Sequence, residues 1–179
     1  KANSPFFLQI GFPGPHPPYD PTDEFLAIYK DTEFPHRAAS QQELAQQPKM
    51  HQQLRQSMVD FNIDSVAWRE NLADEDIQQL HRYYAANVSM IDQKVGQILD
   101  CLDKQGHLEN TIVIFCSDHA DALGEHGHIQ KWTMYDCVTR VPLVFWAPNQ
   151  IKQQQKCNDL VQLMDIAPTI LQFAGIDPP

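Results

Sequence analysis

The pattern that most restricts the fold is one amphipathic register that runs from Asp74 to Gly106 and leads directly into an apolar run. Ile77, Leu80, Tyr84, Val88, Ile91, Val95, Ile98 and Leu102 recur at steps of three and four, which places them on one face of a helix. Asp74 stands where a cap is needed, and Gly106 where a left-handed residue closes a helix. After a short turn comes the apolar stretch Thr111 to Cys116. Upstream, Pro5 to Phe12 is aromatic and aliphatic with little alternation, the pattern of a strand buried on both faces of a sheet. A strand, a long connection holding a helix, and a second apolar strand make a crossover unit, and crossovers build parallel sheets. The predicted fold class is therefore α/β.

The remaining segments fit that class. "VPLVFWAP" supplies a further strand, Val141 to Ala147, stopped by Pro148. "QIKQQQKCN" reads as a solvated linker. "LVQLMDIAPTILQFAGI" gives a short apolar segment and then a helix, with Asp165 as cap, Pro168 in the first turn and Gly175 just past the end. From Thr22 to Leu72 the chain is glutamine-rich and weakly periodic, reading as helical pieces broken at Pro48. Insertions near strand ends shape specificity, so this region is expected to cover part of a substrate pocket. No internal repeat is present.

A length of 179 residues suits one domain that buries a core. The formal charge of -10, from 13 basic and 23 acidic side chains, disfavours nucleic acid or an anionic membrane as partner. No apolar run reaches membrane-spanning length. Cys101, Cys116, Cys137 and Cys157 lack the spacing of a zinc knuckle and are expected as buried free thiols, with disulfides left open. The first residues drop at once into a strand-like run, as the interior of a longer chain would.

Chemistry concentrates at two strand exits. In open parallel sheets, ligands bind beyond the carboxyl ends of the strands. "GFPGPHPPYDP", with five prolines and two glycines, holds His16 in a stiff loop after the first run. "FCSDHADALGEHGHIQKWTMYD" carries four acids, three histidines and a lysine after the second. Asp118 and His119, adjacent at a strand tip, offer an oxygen and a nitrogen to one cation, but a tight site needs further acids from elsewhere. Lys131 suits an anionic substrate or charge developing on a leaving atom. His16 suits donation to a leaving oxygen. Each residue alone has a plain reading as a solvated charge, a loop histidine or an Asx turn. His126 and His128 are expected as loop residues or outer contacts, and Asp121 and Glu125 as structural or solvated.

These residues together resemble the sulfatase family of the alkaline phosphatase superfamily. There a strand ends in S-D-[HN]-G, followed by L-G-x-H-G, a lysine, and R-V-P-L before the next strand, as in "FCSDHADALGEHGHIQKWTMYDCVTRVPLVFWAP". "PFFLQIGFPGPHPPYDP" resembles the family's strand and P-H-x-P loop, and "LVQLMDIAPTILQFAGI" its D-x-x-P-T-[IL]-L-x-x-A-G-I helix. The resemblance implies an alkaline phosphatase-like sandwich with a mainly parallel central sheet flanked by helices.

The resemblance also implies roles. Asp118 and His119 match metal ligands, usually for calcium, with manganese or zinc the alternative that a histidine at the second position leaves open. Lys131 matches a lysine that contacts the sulfate and stabilises the leaving oxygen, and His16 a sulfate contact and candidate proton donor. Ala120 stands where the family usually has glycine. The family nucleophile, a formylglycine made within C/S-x-P-x-R, has no counterpart, because none of the four cysteines is followed by x-P-x-R. The chain is thus expected to be the C-terminal part of a sulfatase catalytic domain, inactive by itself and prone to associate through exposed core surface. The parent is expected to act on a sulfate ester of a small molecule or saccharide, in a periplasmic or otherwise extracytoplasmic location. The competing readings are a phosphonate monoester or phosphodiester hydrolase of the same superfamily, and a non-catalytic α/β module that binds an anion or a partner.

Overall fold

A computed structural model describes residues 4–36, 38–61, 72–152 and 154–178. Two units divide the chain: Lys1–Leu108 with His119–Arg140, and Glu109–Asp118 with Val141–Pro179.

The first unit is helical. Its short helices are α1 (Asp23–Ile28), α2 (Gln41–Gln46) and α3 (Lys49–Asp60), and its long one is α4 (Asp74–Lys104). Ser40 caps α2 by accepting a hydrogen bond from the Glu43 amide at 3.1 Å. Pro48 separates α2 from α3, since its ring has no amide hydrogen to continue the helix.

α4 starts at Asp74, as the periodicity predicts, but its cap differs. The Asp76 carboxylate reaches back to accept from the Ala73 amide at 2.8 Å, so Asp74 is the first helical residue and not the cap. At the other end Gly106 adopts φ +71°, while the His107 amide donates to Leu102 O and the Gly106 amide to Asp103 O. That is the paired closure a left-handed glycine permits. The expected apolar face is buried only in its first half, at Ile77 and Leu80, and Val88 is exposed. Tyr19, Met58, Leu80 and Ile129 form the buried cluster, with Leu54, Leu72, Tyr83, Tyr84 and Leu123 packed around it. The glutamines of the first unit partly replace regular secondary structure: Gln78 exchanges two hydrogen bonds with the Phe34 backbone at 2.8 and 2.9 Å. A four-residue helix, α5 (Asp136–Thr139), ends this unit's second segment.

The second unit holds β1 (Val113–Cys116), β2 (Leu143–Trp146) and α6 (Ile166–Phe173). Gly175 closes α6 at φ +72° in the same way that Gly106 closes α4. β1 and β2 pair antiparallel, with Val113 opposite Trp146 and Cys116 opposite Leu143. The parallel arrangement expected of a crossover applies to Pro5–Phe12 and the 111–116 run, not to this pair. Pro5–Phe12 itself carries no regular secondary structure, and Phe7 and Leu8 are 73% and 64% exposed. The expectation of a strand buried on both faces is therefore not met among the described residues, because hydrophobicity alone does not hold a strand without a hydrogen-bonded neighbour. The thiols also differ from expectation. All four cysteines are free, but Cys101, Cys116 and Cys157 are exposed and only Cys137 is partly buried.

Candidate active site

The proline-framed loop fixes the ring of His16. The Gly14–Pro15 and Pro17–Pro18 bonds are cis, and His16 Nδ1 lies 2.7 Å from the Pro17 carbonyl oxygen. A carbonyl only accepts, so Nδ1 carries the hydrogen and the lone pair lies on Nε2. Lys131 Nζ donates to that Nε2 at 2.6 Å. Two motif residues far apart in sequence are thus in direct contact.

Lys131 leaves a tightly wound loop. The Ala122 amide donates to Gln130 O and the Gly124 amide to His128 O, with turns closed by the Glu125, Gly127 and His128 amides. The winding requires left-handed backbone at Leu123, Gly124, His126, Gly127 and Gln130. At Gly127 a Cβ would approach Leu44 Cδ2 to 2.5 Å, so a larger residue there requires the Leu44 side chain to shift. Ala120, where the family pattern has glycine, is not among the positive-φ residues, and its amide donates to Val138 O at 2.8 Å. A methyl group is accordingly tolerated.

Asp121 organises the loop from within. Its Oδ1 accepts from the Leu123 and Gln130 amides, both at 2.9 Å, and its Oδ2 from the Tyr19 hydroxyl at 2.6 Å. Burial and the adjacent carboxylate together push the Tyr19 hydroxyl well above the ordinary tyrosine range, and Tyr84 is pushed up to about 12 mainly by burial.

Further contacts attach the loop to the helices of the first unit. His81 Nε2 donates to Leu123 O at 3.1 Å, and burial is the main cause that lowers this imidazole from its usual range. Gln47 Nε2 donates to His126 O at 2.8 Å, and His126 Nδ1 donates to Glu43 Oε1 at 2.8 Å. His126 stacks on Tyr135 with ring centroids 4.0 Å apart. His128, only 3% exposed, donates Nε2–H to Gln47 Oε1 at 3.2 Å, an oxygen that also accepts from Arg55. Burial first, then Arg55, His51 and His126, hold His128 down at about 4. His126 and His128 are therefore loop anchors, in line with their sequence reading as loop residues. Nothing local in the sequence signals Gln47 or Arg55 as their partners.

His119 Nδ1 lies 3.0 Å from the Ala120 carbonyl oxygen, and since a carbonyl only accepts, Nδ1 carries a hydrogen. Asp118 is an exposed residue of the second unit, two positions past the end of β1. A carboxylate and an imidazole, adjacent in sequence, fit a divalent ion by donor type. Among the described residues no group of three or more His, Cys, Asp or Glu side chains forms a metal cluster.

The sulfatase family profile matches residues 1–176. The chain belongs to the sulfatase family. It is 32% identical to iduronate 2-sulfatase of Mus musculus, over 98% of this chain and 37% of that protein. It is 31% identical to choline-sulfatase of Rhizobium meliloti, over 98% and 33% respectively. This sulfatase chain thus spans about a third of the length of the curated relatives it matches. Among solved structures, BT4656 in complex with its substrate D-glucosamine-2-N,6-O-disulfate superposes with a TM-score of 0.70 at 26% identity, covering 93% of this chain and 43% of that one. The phosphonate monoester hydrolase SpPMH of Silicibacter pomeroyi gives 0.79 at 24% identity, over 92% and 33%. The latter likeness is one of fold. The α/β class is shared with these relatives, and the helices and the strand pair of this chain are consistent with it.

Proposed function

We propose that this chain is part of a sulfuric ester hydrolase and that it contributes the leaving-group side of the active site. One observation carries this reading: the 2.6 Å contact between Lys131 Nζ and His16 Nε2, which joins two sequence motifs at one point. With Nδ1–H committed to the Pro17 carbonyl, Nε2 is the nitrogen of His16 that exchanges a proton. The Lys131 ammonium offsets charge on the sulfate oxygens, and with His16 it delivers a proton to the departing alkoxide. Asp118 and His119 are the residues of this chain that would hold a divalent ion, calcium in the first instance. An ion held there would supply Lewis-acid neutralisation of the sulfate charge. The nucleophile and the remaining ligands are to be sought outside this sequence.

The rest of the reading follows the family. The whole catalytic domain has a mainly parallel central sheet flanked by helices. Its exposed core surface, including Phe7 and Leu8 here, is covered by further chain or by association, and of the 22–72 region the described residues 22–36 and 38–61 adjoin the substrate pocket, while 62–71 lie outside the described residues. The substrate is a sulfate ester of a saccharide or small alcohol. That choice is supported by relatives named N-acetylglucosamine-6-O-sulfatase and iduronate 2-sulfatase. The family resemblance favours a periplasmic or otherwise extracytoplasmic location for the enzyme.

A second reading, hydrolysis of phosphonate monoesters, is favoured by the imidazole of His119, since nitrogen ligands suit manganese or zinc better than calcium. The whole protein carrying this chain is to be assayed with para-nitrophenyl sulfate and with a para-nitrophenyl phosphonate ester, after chelation and return of calcium, manganese or zinc. Sulfate turnover that Lys131→Ala abolishes supports the first reading. Phosphonate turnover alone selects the second, and inertness towards both leaves a non-catalytic binding module.

A further inference from the structure

Tyr19 lies three residues after His16, is 8% exposed, and packs edge-on against Tyr84 at 5.9 Å in the buried cluster of the first unit. Its hydroxyl reaches across 102 residues to Asp121 Oδ2 at 2.6 Å. The other oxygen of the same carboxylate holds the amide of Gln130, the residue before Lys131. Gln130 is itself buried, at φ +61°, and its carbonyl is tied to the Ala122 amide at 2.9 Å. One carboxylate therefore grips the backbone at the root of Lys131 and, through Tyr19, the loop that carries His16.

We propose that Asp121 is a positioning residue that, with Tyr19, sets the alignment of the Lys131–His16 pair. The physical need is clear from the two side chains. Lys131 swings on a four-carbon stem with about 2 kcal/mol of rotamer entropy, and His16 sits on a loop with no sheet or helix to hold it. A 2.6 Å contact between them persists only if both backbone roots are fixed against each other. The Tyr19–Asp121 hydrogen bond is a direct side-chain link between those roots. What the pair does rests on the sulfatase reading above, whereas the coupling does not depend on it.

The test uses the whole protein carrying this chain, with nitrogen-15 histidine and NMR detection of the His16 imidazole, beside kinetics on the sulfate ester. Lys131→Ala defines the position of the Nε2 resonance without its donor. Tyr19→Phe removes one oxygen and keeps the packing. It is expected to move the His16 Nε2 resonance towards the Lys131→Ala position while those of His81 and His128 stay in place. It is also expected to lower kcat about tenfold, with KM within about twofold, as misalignment of reacting groups does. An unchanged His16 resonance in a folded Tyr19→Phe protein overturns the proposal. So does an Nε2 resonance that Lys131→Ala fails to shift. Should Tyr19→Phe not fold, Asp121→Asn, which keeps size and one acceptor oxygen, is read by the same two outcomes. A shifted resonance with no hydrolysis of either ester upholds the strut and counts against the sulfatase reading alone.

Discussion

Lys131 donates a hydrogen bond to Nε2 of His16 at 2.6 Å, although the two residues are 115 positions apart. The other ring nitrogen is already committed to the Pro17 carbonyl, so Nε2 is the atom of His16 that meets the Lys131 amine. In the whole enzyme, Lys131→Ala is expected to lower turnover about a hundredfold or more, the scale typical of one charge-stabilising donor. Steady-state kinetics on a sulfate ester checks this, and near-normal kcat removes Lys131 from the mechanism.

The histidine anchor makes stability depend on pH. His128 is held at about 4 against an ordinary 6.5, so between those values the unfolded chain binds more protons than the folded one. Stability is therefore fully present above the unfolded value and is lost as pH falls from about 6.5 towards 4. Arg55, His51 and His126 face the ring, and none of them rewards its protonation. Discounted for solvent screening, the loss is of the order of 2 kcal/mol. Urea unfolding at pH 7 and pH 5 should show it, and His128→Gln should flatten the difference. An unchanged slope in that variant would assign the acid sensitivity elsewhere.

Two glycines at nearly the same dihedral should respond differently to a methyl group. Gly127 and Gly175 both have φ +72°, but only at Gly127 does the added carbon meet a neighbour, Leu44 Cδ2 at 2.5 Å. Gly175→Ala should cost about 1 kcal/mol from backbone strain alone. Gly127→Ala adds overpacking and should cost about 3 kcal/mol in all. Thermal melts of the two variants rank them, and equal shifts would mean that Leu44 gives way freely.

The thiols should divide three to one. Cys101, Cys116 and Cys157 are exposed in the chain as described, while burial pushes the Cys137 thiol upward, with Glu125, Asp121 and Asp136 adding to it. Titration of this chain with a maleimide near neutral pH is expected to modify three sites quickly and Cys137 slowly. Rapid labelling of Cys137, located by peptide mass mapping, would contradict its partly buried place beside the loop.

Features carried by neighbouring residues were legible in the sequence itself. The register of α4, its closure at Gly106, the break at Pro48 and the two short strands follow from periodicity and from backbone preferences, which act over a few residues. The motifs that single out His16, Asp118, His119 and Lys131 are equally local in sequence, but their roles came from the resemblance to the sulfatase family. Where expectation and structure differ, the missing term was a partner: Pro5–Phe12 has the composition of a strand but no strand structure, Ala73 and not Asp74 takes the cap position with its amide met by Asp76, and three thiols lie exposed. Only the tertiary structure decided that Lys131 meets His16, that Tyr19 meets Asp121, and that His128 is buried against Gln47. Those contacts span from 81 to 115 residues. Their geometry depends on how whole loops and helices close on one another, which no local pattern of residues encodes.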